Sequence, residues 1–316
     1  MANIIDIGEL NPMKFYELDP DENSIYNWKH FDRYWFEEQI LSFQQQVIWS
    51  QPWQVDDVIK LQFSANFAPI QIDFLDCQGK VVPGMSFNAG VIVTSYVEPG
   101  FQKSQVEMSL DPLSEGYYYL LLTVGSGGSL KKFISERIHV LEVHENSILL
   151  QYKHGRNISD IAFDTGIEFN LRVPAVLQDF SPGSDDVIYK DQSRNITTLS
   201  SVPYRNFKMI FGDARGIPDY MADKINRVFG CNSVLLDNKR FAKSEGAKME
   251  RSGDRLYPMA GWVLEIVEAL NRMSTRFSST GEGQDELTVA YDIETKMFGA
   301  FNAPASSNVV RVYKIE

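Results

Sequence analysis

The sequence predicts a mostly β protein: an immunoglobulin-like β-sandwich followed by a second β-rich domain with one short helix. From about residue 55 to residue 145 apolar residues recur with a period of two, and turn residues interrupt them at short intervals. Beyond that point extended-looking segments continue, but one stretch near 218–229 takes up a helical period. The predicted division is 1–145, an aromatic amino-terminal arm plus the sandwich, and 146–316, the β-rich domain with its helix. A chain of 316 residues is long enough for two such cores.

In the first half, Ile59, Leu61 and Phe63 alternate with Lys60, Gln62 and Ser64, which predicts a strand with one wet face. Ile70, Ile72 and Phe74 repeat the pattern into Asp76-Cys77-Gln78-Gly79, a turn, before Val81 and Val82 resume as a hairpin. Val106, Met108 and Leu110 form the next alternating run. Tyr117 to Val124 is apolar on both faces and reads as a central strand, and after Gly125-Ser126-Gly127-Gly128 a single strand is expected to return over 132–140. Before the sandwich, Phe31 to Gln45 mixes aromatic and charged residues without a clean period, so a short helix and an extended arm both fit.

In the second half, 149–152, 167–173 and 195–211 read as extended. Pro218 and Asp219 open a segment whose Met221, Ile225, Val228 and Phe229 make an apolar stripe ending at Gly230, the marks of an amphipathic helix. Strands are expected at 233–236, ahead of an Asp237-Asn238 turn, and at 287–291 and 309–315; 262–269 fits helix or strand, and its β-branched content favours strand. Residues 272–286 read as a mobile loop.

Composition excludes several functions. Thirty Lys and Arg against 42 Asp and Glu leave a net charge of −12, which argues against a broad nucleic-acid-binding face and a specific nucleic-acid partner. No apolar run reaches the roughly 18 to 20 residues that span a bilayer, and the amino terminus does not read as a secretory signal, so no membrane partner is expected and synthesis is placed in the cytoplasm. Cys77 and Cys231 lie too far apart in the chain to suggest a disulfide framework or a thiolate site.

Catalytic constellations are weak. His139, His144 and His154 cluster at the predicted junction, but their spacing is not that of ligands on one helical face, and they read as solvated junction histidines; the fourth, His30, stands apart. Nucleophile-elbow, phosphate-loop and zincin motifs do not occur. Asp185 and Asp186 after Ser181-Pro182-Gly183-Ser184, and Glu282, Asp285 and Glu286, are the residues a Ca²⁺ site or a glycosidase would draw on, yet they read as solvated turns. Asp213, Arg215 and Asp219 around the helix start are residues that would orient a ligand, yet they read as a cap or ion pair. No catalytic residue, cofactor or metal is therefore expected, and the chain is read as non-enzymatic.

Phe169-Asn170-Leu171-Arg172-Val173, Asp191-Gln192, the run Thr198-Leu199-Ser200-Ser201-Val202-Pro203-Tyr204-Arg205, and Ile217-Pro218-Asp219-Tyr220-Met221-Ala222-Asp223-Lys224-Ile225-Asn226-Arg227 together resemble segments of proteins of tailed phages and prophages of Bacteroidetes. In the first half, Leu113-Ser114-Glu115-Gly116-Tyr117-Tyr118-Tyr119 and Ser135-Glu136-Arg137-Ile138-His139-Val140 are similar to β-modules of the same group. The resemblance implies a virion structural protein, made in the host bacterial cytoplasm. It would be a symmetric tail ring, a distal-tail protein or a baseplate-adjacent adaptor, with copies of itself and other virion tail proteins as partners. It carries no catalytic residue onto this chain. An acidic wall suits a tail interior, because it repels passing DNA. Tyr34, Trp35, Phe36, Trp49 and Trp53 are the candidate subunit-contact residues, since Trp and Tyr bury much area at modest entropy cost; filling a core is the equal alternative for the same rings. The competing function is a sandwich module that binds a glycan or host surface.

Overall fold

The computed structural model describes residues 4–18, 49–95, 98–127, 130–190, 192, 194–212, 216–252, 259–268, 287–292 and 297–302. The chain divides into two units, Met1–Leu270 and Asn271–Glu316. It is mostly β, with one α-helix among the described residues.

The first part of the larger unit is a two-sheet sandwich. Its strands are β1 (Ile5–Asp6), β2 (Phe15–Glu17), β3 (Gln51–Gln54), β4 (Val58–Ala65), β5 (Ile70–Asp76), β6 (Val81–Asn88), β7 (Gly90–Val91), β8 (Gln102–Ser109), β9 (Gly116–Val124), β10 (Lys131–Ser135) and β11 (Ile138–Leu141). One sheet has the order β1-β4-β8-β7. The other is built on β9, which pairs with β5 on one side and with both β10 and β11 on the other, while β6 extends β5, β2 extends β10, and β3 runs parallel to β11. On the second face of β9, Tyr119 joins Leu75 and Ile134 in a small cluster with Leu121 packed against it, which is why the strand is apolar on both faces. Ile59, Leu61 and Phe63 from one sheet meet Ile72, Phe74, Leu120 and Leu122 from the other in a single core.

Two sequence expectations change here. The return from β9 is two strands, not one. Ile134 faces Leu121 but Ile138 faces Tyr118, so one extra residue enters at Ser135–Arg137. Ser135 fills the gap: its hydroxyl accepts the Leu120 N–H at 2.8 Å and donates to the Glu136 carbonyl at 2.7 Å. The face of β4 expected to be wet is also covered, with Gln62 and Ser64 buried.

The second part of the unit comprises β12 (Ser147–Lys153), β13 (Phe169–Lys190), β14 (Ile196–Phe211), β15 (Ile217–Pro218), helix α1 (Asp219–Val228), β16 (Ser233–Leu236), β17 (Lys239–Lys243), β18 (Glu250–Ser252) and β19 (Met259–Glu268). Pairing runs β12-β13-β14-β19-β17-β16 and back to β12, always antiparallel, so six strands close into a barrel. Closure removes the sheet edges over the paired length. Tyr152, Phe169, Leu171, Phe211 and Leu264 fill the interior, and α1 adds Met221, Ile225 and Val228 to it. Asp237 and Asn238, both at positive φ, make the tight β16–β17 turn that the sequence indicates. The smaller unit contains the hairpin β20 (Leu287–Asp292) and β21 (Met297–Asn302); the strand expected at 309–315 and the loop at 272–286 lie outside the described residues.

The change of period near residue 145 marks the passage from the sandwich core to the barrel core inside one unit. Residues 8–14 run along that seam, with Leu10 in the barrel core and Met13 in the sandwich core. The Asn11 amide bonds twice to the Gln62 backbone, both at 2.8 Å. The Gln62 side chain in turn donates to the Ala162 carbonyl at 3.2 Å and accepts the Ala162 N–H at 2.6 Å. Tyr152 donates its hydroxyl to the Leu10 carbonyl at 2.5 Å, and the buried Lys224 ammonium donates to the carbonyls of Asn11 and Pro12 at 2.9 and 3.0 Å. Burial pulls the Lys224 pKa down to about 8; Glu136 opposes that shift and Lys14 adds to it. Arg172 on β13 grips Asp57 just before β4 with two bonds, Nε to Oδ2 at 2.6 Å and Nη2 to Oδ1 at 2.8 Å.

Candidate functional site

Two surface features are built by this architecture: a cleft at the seam and a hairpin that leaves the barrel. The cleft, about 130 Å³, is lined from the sandwich by Tyr117 and His139, from the junction by His144 and Glu145, from the segment entering β3 by Trp49 and Ser50, and from the barrel by Gly216 and Met259. β9 and β11 are antiparallel neighbours with Tyr117 opposite His139, so their rings stack at 4.2 Å between centroids. The Arg137 guanidinium lies 4.7 Å from the Tyr117 centroid, and the His144 ring meets the His139 ring edge to face at 5.1 Å. Burial lowers both histidine pKa values. For His139 the nearby His144 and Arg137 lower it further.

The serine hydroxyls of the cleft are committed to structural bonds. Ser50 Oγ accepts from Arg137 Nε at 2.6 Å, and Ser147 donates to the His144 carbonyl at 2.9 Å while lying 3.3 Å from Arg172 Nη1. Neither is held by an imidazole as an activated nucleophile requires. His144 Nε2 contacts the His139 carbonyl oxygen at 2.9 Å, and His154 lies apart, its Nδ1 accepting the Arg156 N–H at 3.0 Å. Among the described residues no three His, Cys, Asp or Glu side chains are placed to share a metal ion.

The hairpin arises because β13 and β14 are longer than the strands beside them. β12 pairs with β13 only from Phe169 to Pro174, and β19 pairs with β14 only from Arg205 to Phe211. From Gly183↔Tyr204 to Lys190↔Ile196 the two strands have, among the described residues, only each other in the ladder, a ribbon about 25 Å long at 3.3 Å per residue. Val187, Ile188 and Tyr189 are 56, 51 and 56% exposed, and Ile196, Leu199 and Val202 are also exposed. Phe180, at its base, packs on Phe207 at 5.4 Å between centroids.

This hairpin corrects the reading of Ser181-Pro182-Gly183-Ser184-Asp185-Asp186 as a solvated turn: the whole segment lies within β13. Turn-forming residues are accommodated there because the strand is at an edge, where Pro leaves no ladder bond unmade. Asp185 and Asp186 point to opposite faces, and the Asp186 carboxylate is held below its usual pKa by the Ser201 and Ser184 hydroxyls.

Of the candidate contact residues, Trp53 is fully buried in the sandwich core, so its ring belongs to the fold. Trp49 packs partly buried on the barrel core at the cleft wall. Tyr34, Trp35 and Phe36 lie outside the described residues, as do His30, Asp213, Arg215, Glu282, Asp285 and Glu286; Asp219 is the first residue of α1 and is exposed. Cys77 is exposed in the β5–β6 turn and Cys231 is buried, both free. Sequence reasoning missed Lys224, Asn11, Gln62 and the Asp57–Arg172 pair, since their partners are 51 to 213 positions away.

The fold and these surfaces define a β-rich protein that joins a two-sheet sandwich to a closed barrel carrying an extended hairpin. No protein-family model, no curated protein and no solved structure matches the chain.

Proposed function

We propose that this chain is a non-enzymatic structural subunit of a tailed-phage or prophage virion, a tail ring or tail adaptor that assembles with copies of itself and with other tail proteins. The observation that supports this reading most is the β13–β14 hairpin. A two-stranded ribbon alone in water is marginal, and this one carries Val187 and Tyr189 on one face and Ile188 on the other. A neighbouring subunit supplies the packing that the ribbon lacks, and a barrel braced against a sandwich by the Lys224 and Arg172 contacts gives it a rigid base. The segments that resemble phage proteins include Thr198–Arg205 of this hairpin and the α1 helix.

Mass spectrometry of purified particles tests the proposal. The chain should be present in several copies per particle, and a variant with residues 184–203 replaced by a short Gly-Ser turn should fold but fail to enter particles. Absence of the intact chain from particles defeats the virion reading, and normal entry of the shortened variant defeats the role of the hairpin.

A further inference from the structure

The two edges of the projecting hairpin are not equivalent. In β14 the register steps between Ser200 and Thr198, leaving Leu199 without an opposite residue on β13. A bulge of this kind twists an edge away from further pairing. β13 has no extra residue over Ser184–Lys190, and beyond Ala175 its outer edge has no ladder partner among the described residues. Pro182 blocks the base of that edge. The open stretch is therefore Asp186-Val187-Ile188-Tyr189-Lys190.

That stretch is complementary to itself when reversed. We propose that the outer edge of β13 pairs antiparallel with the same edge of a second copy, about a two-fold axis at Ile188, making a four-stranded sheet from two hairpins. A two-fold axis perpendicular to a sheet keeps each face on its own side, so opposed residues must have numbers whose sum is even. With Ile188 opposite its own copy, Val187 opposes Tyr189 and Asp186 opposes Lys190, twice each by symmetry. Opposite charges and aromatic to β-branched pairs directly across a ladder both stabilise it, while like charges there oppose it. The alternative centred on Val187 sets Asp186 against Ile188 and Lys190 against Ser184; of the even-sum registers only the first brings opposite charges within β13 together, Asp185 then lying opposite a position past its last residue, Lys190.

The surroundings suit this contact. Each chain carries a charge of −12, and bodies of like charge repel unless held apart. Ile188 stands roughly 20 Å beyond the barrel rim, so the two barrels stay several Debye lengths of about 8 Å apart. The contact is isologous, unlike the head-to-tail contact that closes a ring. It is a property of the purified chain and stands or falls independently of the virion reading.

The test is sedimentation velocity on the full chain from about 1 µM to about 1 mM, a range suited to an edge contact smaller than a standard interface. Wild type should form dimers as concentration rises. Asp186→Lys and Lys190→Asp should each weaken the dimer at least about tenfold, because each sets like charges opposite one another twice. An equimolar mixture of the two variants should form a heterodimer, because the first variant is positive at both of these positions and the second is negative at both. The double variant, with the two charges exchanged, should dimerise like wild type. Circular dichroism should be unchanged in all of them, since both side chains are exposed and Asp186→Lys gives up only the surface bonds from the Ser184 and Ser201 hydroxyls. A wild-type chain that stays monomeric, single variants that still dimerise, or a mixture that does not rescue association would each overturn the proposal.

Discussion

Replacing Arg172 with Met should uncouple the sandwich from the barrel. Asp57 and Arg172 are only 4 and 7% exposed. Arg172 Nε and Nη2 bind the two Asp57 oxygens at 2.6 and 2.8 Å, and the only other bond described to that carboxylate is the Gln54 N–H at 2.8 Å. Met fills most of the guanidinium stem's volume, so the loss is electrostatic: a buried carboxylate keeps one hydrogen bond and no countercharge. Breaking a buried pair from one side costs about 3 to 5 kcal/mol, and at about 2 to 4 °C per kcal/mol for a domain of this size the melting temperature should fall by roughly 6 to 20 °C. Differential scanning calorimetry with urea titration measures both quantities. Because the pair spans the seam, the wild type should unfold in one calorimetric transition and the variant in a broadened or split one, with separate barrel and sandwich steps. Asp57→Asn combined with Arg172→Met should be milder than Arg172→Met alone, since the neutral amide still accepts from Gln54. If Arg172→Met lies within about 1 kcal/mol of wild type, or the double variant is no better than the single one, the pair does not brace the seam.

Lys224 makes stability depend on pH with a definite sign. Its ordinary value of 10.5 falls to about 8 in the folded chain, so between these values the unfolded chain binds more protons and stability rises with pH; below about 8 that contribution is absent. Cys231, raised from 9.0 to about 11, acts oppositely only above 9. From about pH 7 to about pH 9 the melting temperature of wild type should therefore climb relative to Lys224→Met, and a flat or falling difference would refute the assignment. Gly216 sits at φ +81°, and a Cβ there would lie 2.4 Å from the Ala260 carbonyl carbon. Gly216→Ala should cost roughly 2 to 5 kcal/mol in urea unfolding, from backbone strain and overpacking together; a loss under about 1 kcal/mol would mean that β15 shifts freely away from β19.

Local pattern was enough for the β class, the central position of β9, the Asp76–Gly79 turn and the α1 stripe, because periodicity, turn chemistry and an amphipathic face are properties of adjacent residues. Ser135 shows where that reach ends. The break between β10 and β11 depends on a hydroxyl meeting the Leu120 N–H across the sheet, which no period of two announces. Gln62 and Ser64 looked wet because their own strand alternates, yet residues 8–14 and Ala162 return to cover them. Barrel closure is likewise a long-range fact, settled by β14 meeting β19 across pairs 51 to 63 positions apart in the chain. The hairpin was hidden for the opposite reason: its Pro, Gly, Ser and Asp carry a strong local turn signal, and only pairing with β14 holds them extended. Sequence alone thus determined the β class, most of the extended segments outside the hairpin, and the apolar stripes that build the two cores. Tertiary structure decided which polar residues are buried, which strands outrun their neighbours, and where Lys224, Arg172 and Asp57 find partners, because each of those outcomes is set by contacts between residues distant in the chain.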